Sequence, residues 1–121
     1  MSLLAERNYY KPFNYPWAFE HYKTQQHMHW LPDEVNLADD LRDYREKLTP
    51  ESKKLISQIF RFFTQADVDV CCGYAKHYLP TFKQPEVRMM LSAFAAMEAV
   101  HQEAYSLLLE TLGFGDEEYQ K

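Results

Sequence analysis

The sequence has little glycine and cysteine and no long apolar run. Its 121 residues include three glycines and two cysteines, Cys71 and Cys72. Because adjacent cysteines have a poor geometry for a mutual disulfide and lack metal-ligand spacing, we interpret both as small packing residues. No apolar run approaches the ~20 residues that a membrane span needs, and the first residues lack the apolar stretch of a signal peptide. Free thiols without an export signal predict a reducing cytoplasm.

The charge and composition exclude further classes of function. The formal net charge is −5 and the pI is about 5.5, which argues against nucleic acid as an electrostatic partner. Hydrophobic residues make up 46% of the chain, enough for one small domain but not for two. Aromatic residues make up 16%, a high fraction that indicates extensive aromatic packing.

Proline and polar residues divide the chain into two predicted parts. Residues 1–32 contain three prolines and many aromatic residues, and are predicted to be an irregular arm that lies over another part of the molecule. Residues 33–121 are predicted to be helical, beginning with a short helix or turn at 33–47. The strand signal is weak throughout, so the sequence predicts an all-α chain.

Two long helices are predicted within the second part, at about 50–78 and 85–112. The first begins with Thr49 as N-cap, followed by proline at the first helical position and an acid in the first turn. Prolines separate the two helices. Two glycines end the second helix, Gly113 and Gly115.

A single apolar face follows each long helix in alternating steps of four and three residues. Asp67 interrupts this face in the first helix, and Glu98, His101 and Tyr105 interrupt it in the second. A buried, unpaired carboxylate costs several kcal/mol or becomes protonated. The two acids and the histidine therefore need a shared cation or a dense network of hydrogen bonds.

The pair Glu98-x-x-His101 carries the most information. Its spacing sets a carboxylate and an imidazole one turn apart on the same helix face, where both can bind one metal ion. Ferritin-like di-metal bundles take a carboxylate from each of two helices and a Glu-x-x-His from each of two others. This chain offers one of each, and such oxygen-rich ligands with one imidazole suit iron or manganese.

Ordinary structural roles remain open for each of these residues at this stage. A Glu-x-x-His pair on an exposed face is usually solvated, and Asp67 near a helix middle could be solvated too. Tyr105 is by default a core tyrosine, and Trp30 a packing residue of the arm. The metal interpretation is favoured because charged side chains buried on an apolar face need an opposite charge to offset the cost of losing their water.

Several segments resemble the beta subunit of class I ribonucleotide reductase. They are WLPDEV, FRFFTQADVDV, MMLSAF and MEAVHQEAYSLLLETLG, together with the arm YKPFNYPWAFEHYKTQQHMHW. The resemblance covers nearly the whole chain. The most specific combination is an Asp in FFTQAD, a Glu-x-x-His later in the chain, and a Tyr four residues after that His.

The resemblance implies a fold and a role for each site residue. The fold would be half of a ferritin-like di-metal four-helix bundle. Asp67 and Glu98 would be carboxylate ligands, with Glu98 bridging, and His101 the imidazole ligand. Tyr105 would be oxidised to a radical after the metals react with O2, and Trp30 would relay electrons to the catalytic subunit. The metals would be two iron ions, two manganese ions or one of each.

The resemblance also implies partners. Relatives continue further and supply a second Glu, a second Glu-x-x-His and a C-terminal tail that docks on the catalytic alpha subunit. We therefore expect the N-terminal fragment of a split radical-generating subunit of ribonucleoside-diphosphate reductase, inactive alone. A second polypeptide would complete its bundle, and completed beta subunits would pair as dimers.

A second hypothesis comes from a different class of protein. Two copies of a two-helix unit would supply the full set of ligands, as in a ferritin-like storage or oxidase protein assembled as a homodimer. Tyr105 together with Trp30 favours the reductase, because a storage protein needs neither.

Overall fold

The computed structural model describes residues 2–114, and no strand occurs among them. The all-α prediction is therefore confirmed. The elements in chain order are α1 (Pro16–His27), a 3-10 turn (Pro32–Glu34), α2 (Ala38–Glu46), α3 (Pro50–Gly73), a π-helical segment (Tyr74–Tyr78), α4 (Leu79–Thr81) and α5 (Pro85–Thr111).

Two units, each made of two separate segments, divide the chain. Unit 1 contains the residues up to His29 together with Asp69–Ala99. Unit 2 contains Trp30–Val68 together with the residues from Val100 onward. The predicted division into an arm and a helical half-bundle stays a prediction.

Helix α1 lies where the sequence predicts irregular chain, and that expectation is wrong. Pro16 occupies its first turn, where a helix tolerates proline because the N–H groups there have no partner within the helix. No proline or glycine follows before His27, so nothing interrupts the helix. Pro16 marks where this helix begins instead of excluding one.

Helix α3 begins as predicted. The hydroxyl oxygen of Thr49 accepts a hydrogen bond from the N–H of Ser52 at 3.1 Å, which satisfies a donor that the first turn leaves unpaired. The α-helix ends at Gly73, and the chain continues to the predicted end at Tyr78 as a π-helical segment. Single π-helical turns are rare and are found frequently at functional sites.

Helix α5 has the predicted bounds to within one residue. Gly113 follows it with φ of 100°, a conformation that glycine adopts without strain. The N–H of Gly113 donates to the carbonyl of Glu110, and the N–H of Phe114 to that of Leu109, both at 3.0 Å. This pair of bonds is a Schellman motif. Gly115, the second predicted stop, lies outside the described residues.

The core of unit 1 joins α1 to the first half of α5. Ala18 of α1 is buried together with Val87, Met90 and Leu91 of α5. Partly buried apolar side chains surround this cluster, among them Leu3, Tyr15, Tyr22, Tyr74, Leu79, Phe82 and Phe94. The apolar face predicted for the second long helix is thus the face that packs in unit 1.

A buried ion pair attaches the arm to the first turn of α5. The guanidinium of Arg7 donates to both carboxylate oxygens of Glu86, and both side chains are excluded from solvent. The same guanidinium also donates to three carbonyls of the arm, those of Tyr9, Tyr10 and Pro12. The guanidinium of Arg7 therefore binds the arm through three carbonyls and α5 through the carboxylate of Glu86.

Backbone groups complete the surroundings of Glu86. Its Oε1 accepts hydrogen bonds from the N–H groups of Asn14 and Tyr15, each at 3.0 Å. Burial alone would raise the pKa of Glu86, but hydrogen bonds from backbone N–H groups and the Arg7 guanidinium hold it below its ordinary value. The sequence interpretation gave Glu86 no role.

Within unit 2, α2 packs against the first half of α3. The hydroxyl of Tyr44 lies 3.3 Å from that of Ser57, which is buried. Large apolar side chains remain exposed elsewhere on α3, and we call those in unit 2 the open face of α3: Leu55, Ile59, Phe62 and Phe63. An exposed apolar patch of this kind marks an interaction surface.

Candidate metal centre

Asp67, Glu98 and His101 come together. Each offers one ligand atom, and these atoms lie within 4.8 Å of one another. Asp67 comes from α3, and the other two are one turn apart on α5. All three side chains are half-buried, which is more exposure than the sequence interpretation expected. Their role as metal ligands stays a prediction.

The carboxylate of Asp67 has a buried oxygen that a cation would satisfy. Its Oδ2 is excluded from solvent and has no hydrogen-bond partner among the described residues. Gln102, beside it, donates to the backbone carbonyl of Asp67 at 3.3 Å and not to the carboxylate. Leaving such an oxygen unpaired costs about 1–3 kcal/mol, and more when it is charged. Two carboxylates and one imidazole fit iron or manganese.

Trp30 contacts the candidate ligand His101. The two ring centroids are 6.4 Å apart and the ring planes are tilted by 34°. Trp30 lies just before the 3-10 turn, and both residues belong to unit 2. A residue that the sequence places in the arm therefore contacts the histidine of the cluster.

Tyr105 lies one turn beyond His101 on α5, between aromatic side chains of α3. Its ring centroid is 6.1 Å from that of Phe60 and 5.7 Å from that of Phe63. The phenol ring is half-buried. Phe60 and Phe63 therefore cover the α3 side of the phenol ring.

Tyr74 is an aromatic neighbour of Glu98 to which the sequence interpretation gave no role. Burial raises the pKa of Tyr74, and the negative charge of Glu98 and the nearby Tyr78 raise it further. Its ring packs against Phe94 at 6.3 Å and against Tyr78 at 5.4 Å. Its position on the apolar face of the first predicted helix is the sequence feature that could have marked it as a neighbour of the cluster.

The two cysteines are free thiols with different surroundings. Cys71 is half-buried and its thiol donates to the carbonyl of Ala95 at 3.7 Å. Cys72 is exposed, so its interpretation as a packing residue is wrong. Among the described helices, none has both the length and the apolar character needed to cross a membrane.

Fold and site together define a helical protein with a candidate carboxylate–histidine metal centre. The model of the family "Ribonucleotide reductase, small chain" matches residues 7–121. The chain belongs to this family.

Similar proteins agree with this assignment. The chain is 50% identical to a probable ribonucleoside-diphosphate reductase small subunit of Invertebrate iridescent virus 6, over all of this chain and 34% of the viral protein. The ribonucleotide reductase Rnr4 homodimer from Saccharomyces cerevisiae has a similar fold, with a TM-score of 0.84 at 21% identity, over 96% of this chain and 38% of that one.

A second solved structure also has this fold. It is the dimanganese(II)-NrdF of Streptococcus sanguinis, with a TM-score of 0.76 at 23% identity, over 93% of this chain and 41% of that one. The chain thus spans about a third of the length of the viral relative, and somewhat more of each solved structure.

Proposed function

We propose that this chain supplies the N-terminal half of a radical-generating small subunit of ribonucleoside-diphosphate reductase. The observation that carries the proposal is the cluster of Asp67, Glu98 and His101, with ligand atoms within 4.8 Å of one another, in a chain of this family. These residues would hold half of a di-metal centre. When bound, two iron ions, two manganese ions or one of each would supply the oxidising power, with O2 as oxidant.

Tyr105 would carry the radical. A long-lived phenoxyl radical needs protection from water and from reductants. Phe60 and Phe63 supply apolar surface on the α3 side of the ring. The position of Tyr105 one turn from His101 keeps the phenol close to the centre without making it a ligand.

Trp30 would relay electrons between the centre and the catalytic subunit. Its indole ring is in contact with the imidazole of His101, and indole is among the side chains that can lose an electron most readily. An aromatic ring beside a ligand is well placed to be the first electron donor or acceptor next to the metals.

The remaining ligands would come from another polypeptide with a Glu and a second Glu-x-x-His. The open face of α3 would be covered in that assembly, since apolar side chains such as Phe62 are exposed in this chain. Completed subunits would pair as dimers and bind a catalytic alpha subunit in the cytoplasm. Nothing in the comparisons favours the ferritin-like storage alternative.

Reconstitution tests the proposal. The chain, the polypeptide that completes its bundle and a catalytic subunit are combined with iron or manganese and O2, and reduction of a ribonucleoside diphosphate is measured. We expect activity only with all components, and none with His101→Ala. The matched control is His77→Ala, an exposed histidine outside the cluster, which should remain active. If the His101→Ala assembly were as active as the wild-type assembly, the proposal would be contradicted.

A further inference from the structure

Three aromatic rings lead from the neighbourhood of Glu98 to the surface of unit 1. Phe94 lies one turn before Glu98 on α5, and its ring is 6.3 Å from that of Tyr74. The rings of Tyr74 and Tyr78 meet edge to face at 5.4 Å. Tyr78 is 48% exposed. The last two rings therefore form a direct contact between a half-buried phenol and a solvent-exposed one.

Tyr74 is close to the cluster as well as to the surface. Its ring packs against that of Phe94 at 6.3 Å, and Phe94 precedes Glu98 by one helical turn on α5. Tyr74 and Tyr78 are the first and last residues of the π-helical segment. Because π-helical turns are rare and occur frequently at functional sites, this local geometry is a second feature that distinguishes the pair.

We propose that Tyr74 and Tyr78 form a path for single electrons between the protein surface and the metal centre. The inference rests on the proposed function, which supplies the oxidised centre. It differs from the relay through Trp30, which begins at His101 in unit 2. The path through Tyr74 begins at Glu98 and ends in solvent at Tyr78, so a small reductant can use it without a catalytic subunit.

Each step moves one electron. Tyr74 gives an electron to the oxidised centre and its phenolic proton to water. Tyr78 then gives an electron to the Tyr74 phenoxyl, which takes a proton from water, while the proton of Tyr78 goes to water. A one-electron reductant of the ascorbate class finally reduces the Tyr78 phenoxyl, which takes a proton back. The net result is one electron moved from the reductant to the centre, with no change in the protons on the protein.

The contrast with Tyr105 explains why two kinds of tyrosine would serve one centre. Tyr105 packs against Phe60 and Phe63, and no exposed tyrosine ring contacts it among the described residues. A radical there is kept. A radical on Tyr78 meets solvent and is quenched, so the same centre can be returned to its reduced state.

The test is the rate at which ascorbate reduces the oxidised centre in the metal-loaded assembly with its completing polypeptide. We expect Tyr74→Phe and Tyr78→Phe each to lose the fast phase of reduction, because phenylalanine is much harder to oxidise. Tyr10→Phe is the matched control, since Tyr10 is 49% exposed and lies in the arm. It should keep the fast phase.

A second measurement uses rapid freezing and electron paramagnetic resonance. In Tyr105→Phe protein, exposure to O2 should give a short-lived tyrosyl signal, which Tyr74→Phe on the same background removes. Normal metal content with wild-type reduction kinetics in both Tyr74→Phe and Tyr78→Phe would overturn the path alone. Failure of the wild-type assembly to take up metal would overturn the proposed function, and the path with it.

Discussion

The indole ring of Trp30 and the imidazole ring of His101 are in contact, with 6.4 Å between their centroids. The contact joins a residue that precedes the 3-10 turn to a candidate metal ligand on α5. The proposed electron relay thus starts at Trp30, within unit 2. Trp30 is not one of the candidate ligands but contacts one of them.

Trp30→Phe should therefore abolish turnover with the catalytic subunit while leaving metal uptake unchanged. Phenylalanine keeps a ring against His101 but does not give up an electron under these conditions. The measurements are turnover and metal content. Trp17→Phe is the control, because Trp17 is an exposed tryptophan of α1, and it should retain turnover. Full turnover in Trp30→Phe would exclude the relay.

Glu98→Ala should abolish stoichiometric metal uptake while leaving the helices largely formed. The substitution removes one of three clustered ligand groups, and alanine has the highest helix propensity. Metal content is measured after gel filtration, and helix content is measured by circular dichroism. Glu103→Ala, an exposed glutamate of the same helix, should bind metal normally. If Glu98→Ala kept its full metal content, the centre would lie elsewhere.

Tyr105→Phe should lose the stable tyrosyl signal in the metal-loaded assembly after exposure to O2. The change removes only a hydroxyl and retains the ring contacts with Phe60 and Phe63, so loss of the signal reports chemistry and not packing. Tyr44→Phe, which lies on α2 and contacts Ser57, should keep it. An unchanged stable signal in Tyr105→Phe would assign the radical to another residue.

Glu86→Gln should destabilise the protein by about 3–5 kcal/mol at neutral pH, because it leaves the Arg7 charge buried and unpaired. The pKa of Glu86 is lowered in the folded state, so its stabilising effect is present above the unfolded pKa and is lost as the pH falls through the folded value.

Urea unfolding of the full chain across this acidic range measures both effects. The wild type should lose stability as the pH falls, and Glu86→Gln should show a weaker dependence. Asp39→Asn is the control, because Asp39 forms an exposed ion pair with Arg42, and such pairs contribute little. Equal stability of Glu86→Gln and the wild type at neutral pH would show that the buried pair is not needed.

The chain without a partner should self-associate, because the open face of α3 remains uncovered. It should bind metal weakly, because Asp67, Glu98 and His101 are only part of the ligand set of a di-metal centre. Phe62 is 68% exposed, so Phe62→Ser should reduce self-association in native mass spectrometry, whereas Leu4→Ser, at an exposed leucine of the arm, should not. A stable monomer with two metal ions would contradict the split bundle. A metal-loaded homodimer would favour the ferritin-like alternative.

The sequence allowed prediction of features set by local chemistry. Thr49 and Gly113 mark helix ends because capping depends on residues a few positions away. Asp67, Glu98 and His101 stand out because polar residues interrupt an apolar period. Residue spacing alone was enough to predict these features. In the structure the three residues come together.

Other features depend on contacts that no local pattern contains. Glu86 is buried because Arg7, 79 residues away in the chain, reaches it. Nothing in the sequence around either residue predicts that the two form a pair. Tyr74 lies on a predicted apolar face, but its ring contact with Phe94 of α5 joins residues that are distant in the sequence. The same local evidence misled at α1, where proline was taken to exclude a helix.

The separation of Arg7 and Glu86 along the chain also orders the folding of the molecule. Closing a loop of that length costs conformational entropy before the contact stabilises anything. Helix α5 forms from local contacts, so Glu86 remains hydrated until the arm arrives. Docking of the arm should therefore be a late folding event, in which Glu86 loses its water only when Arg7 and the backbone N–H groups of the arm replace it.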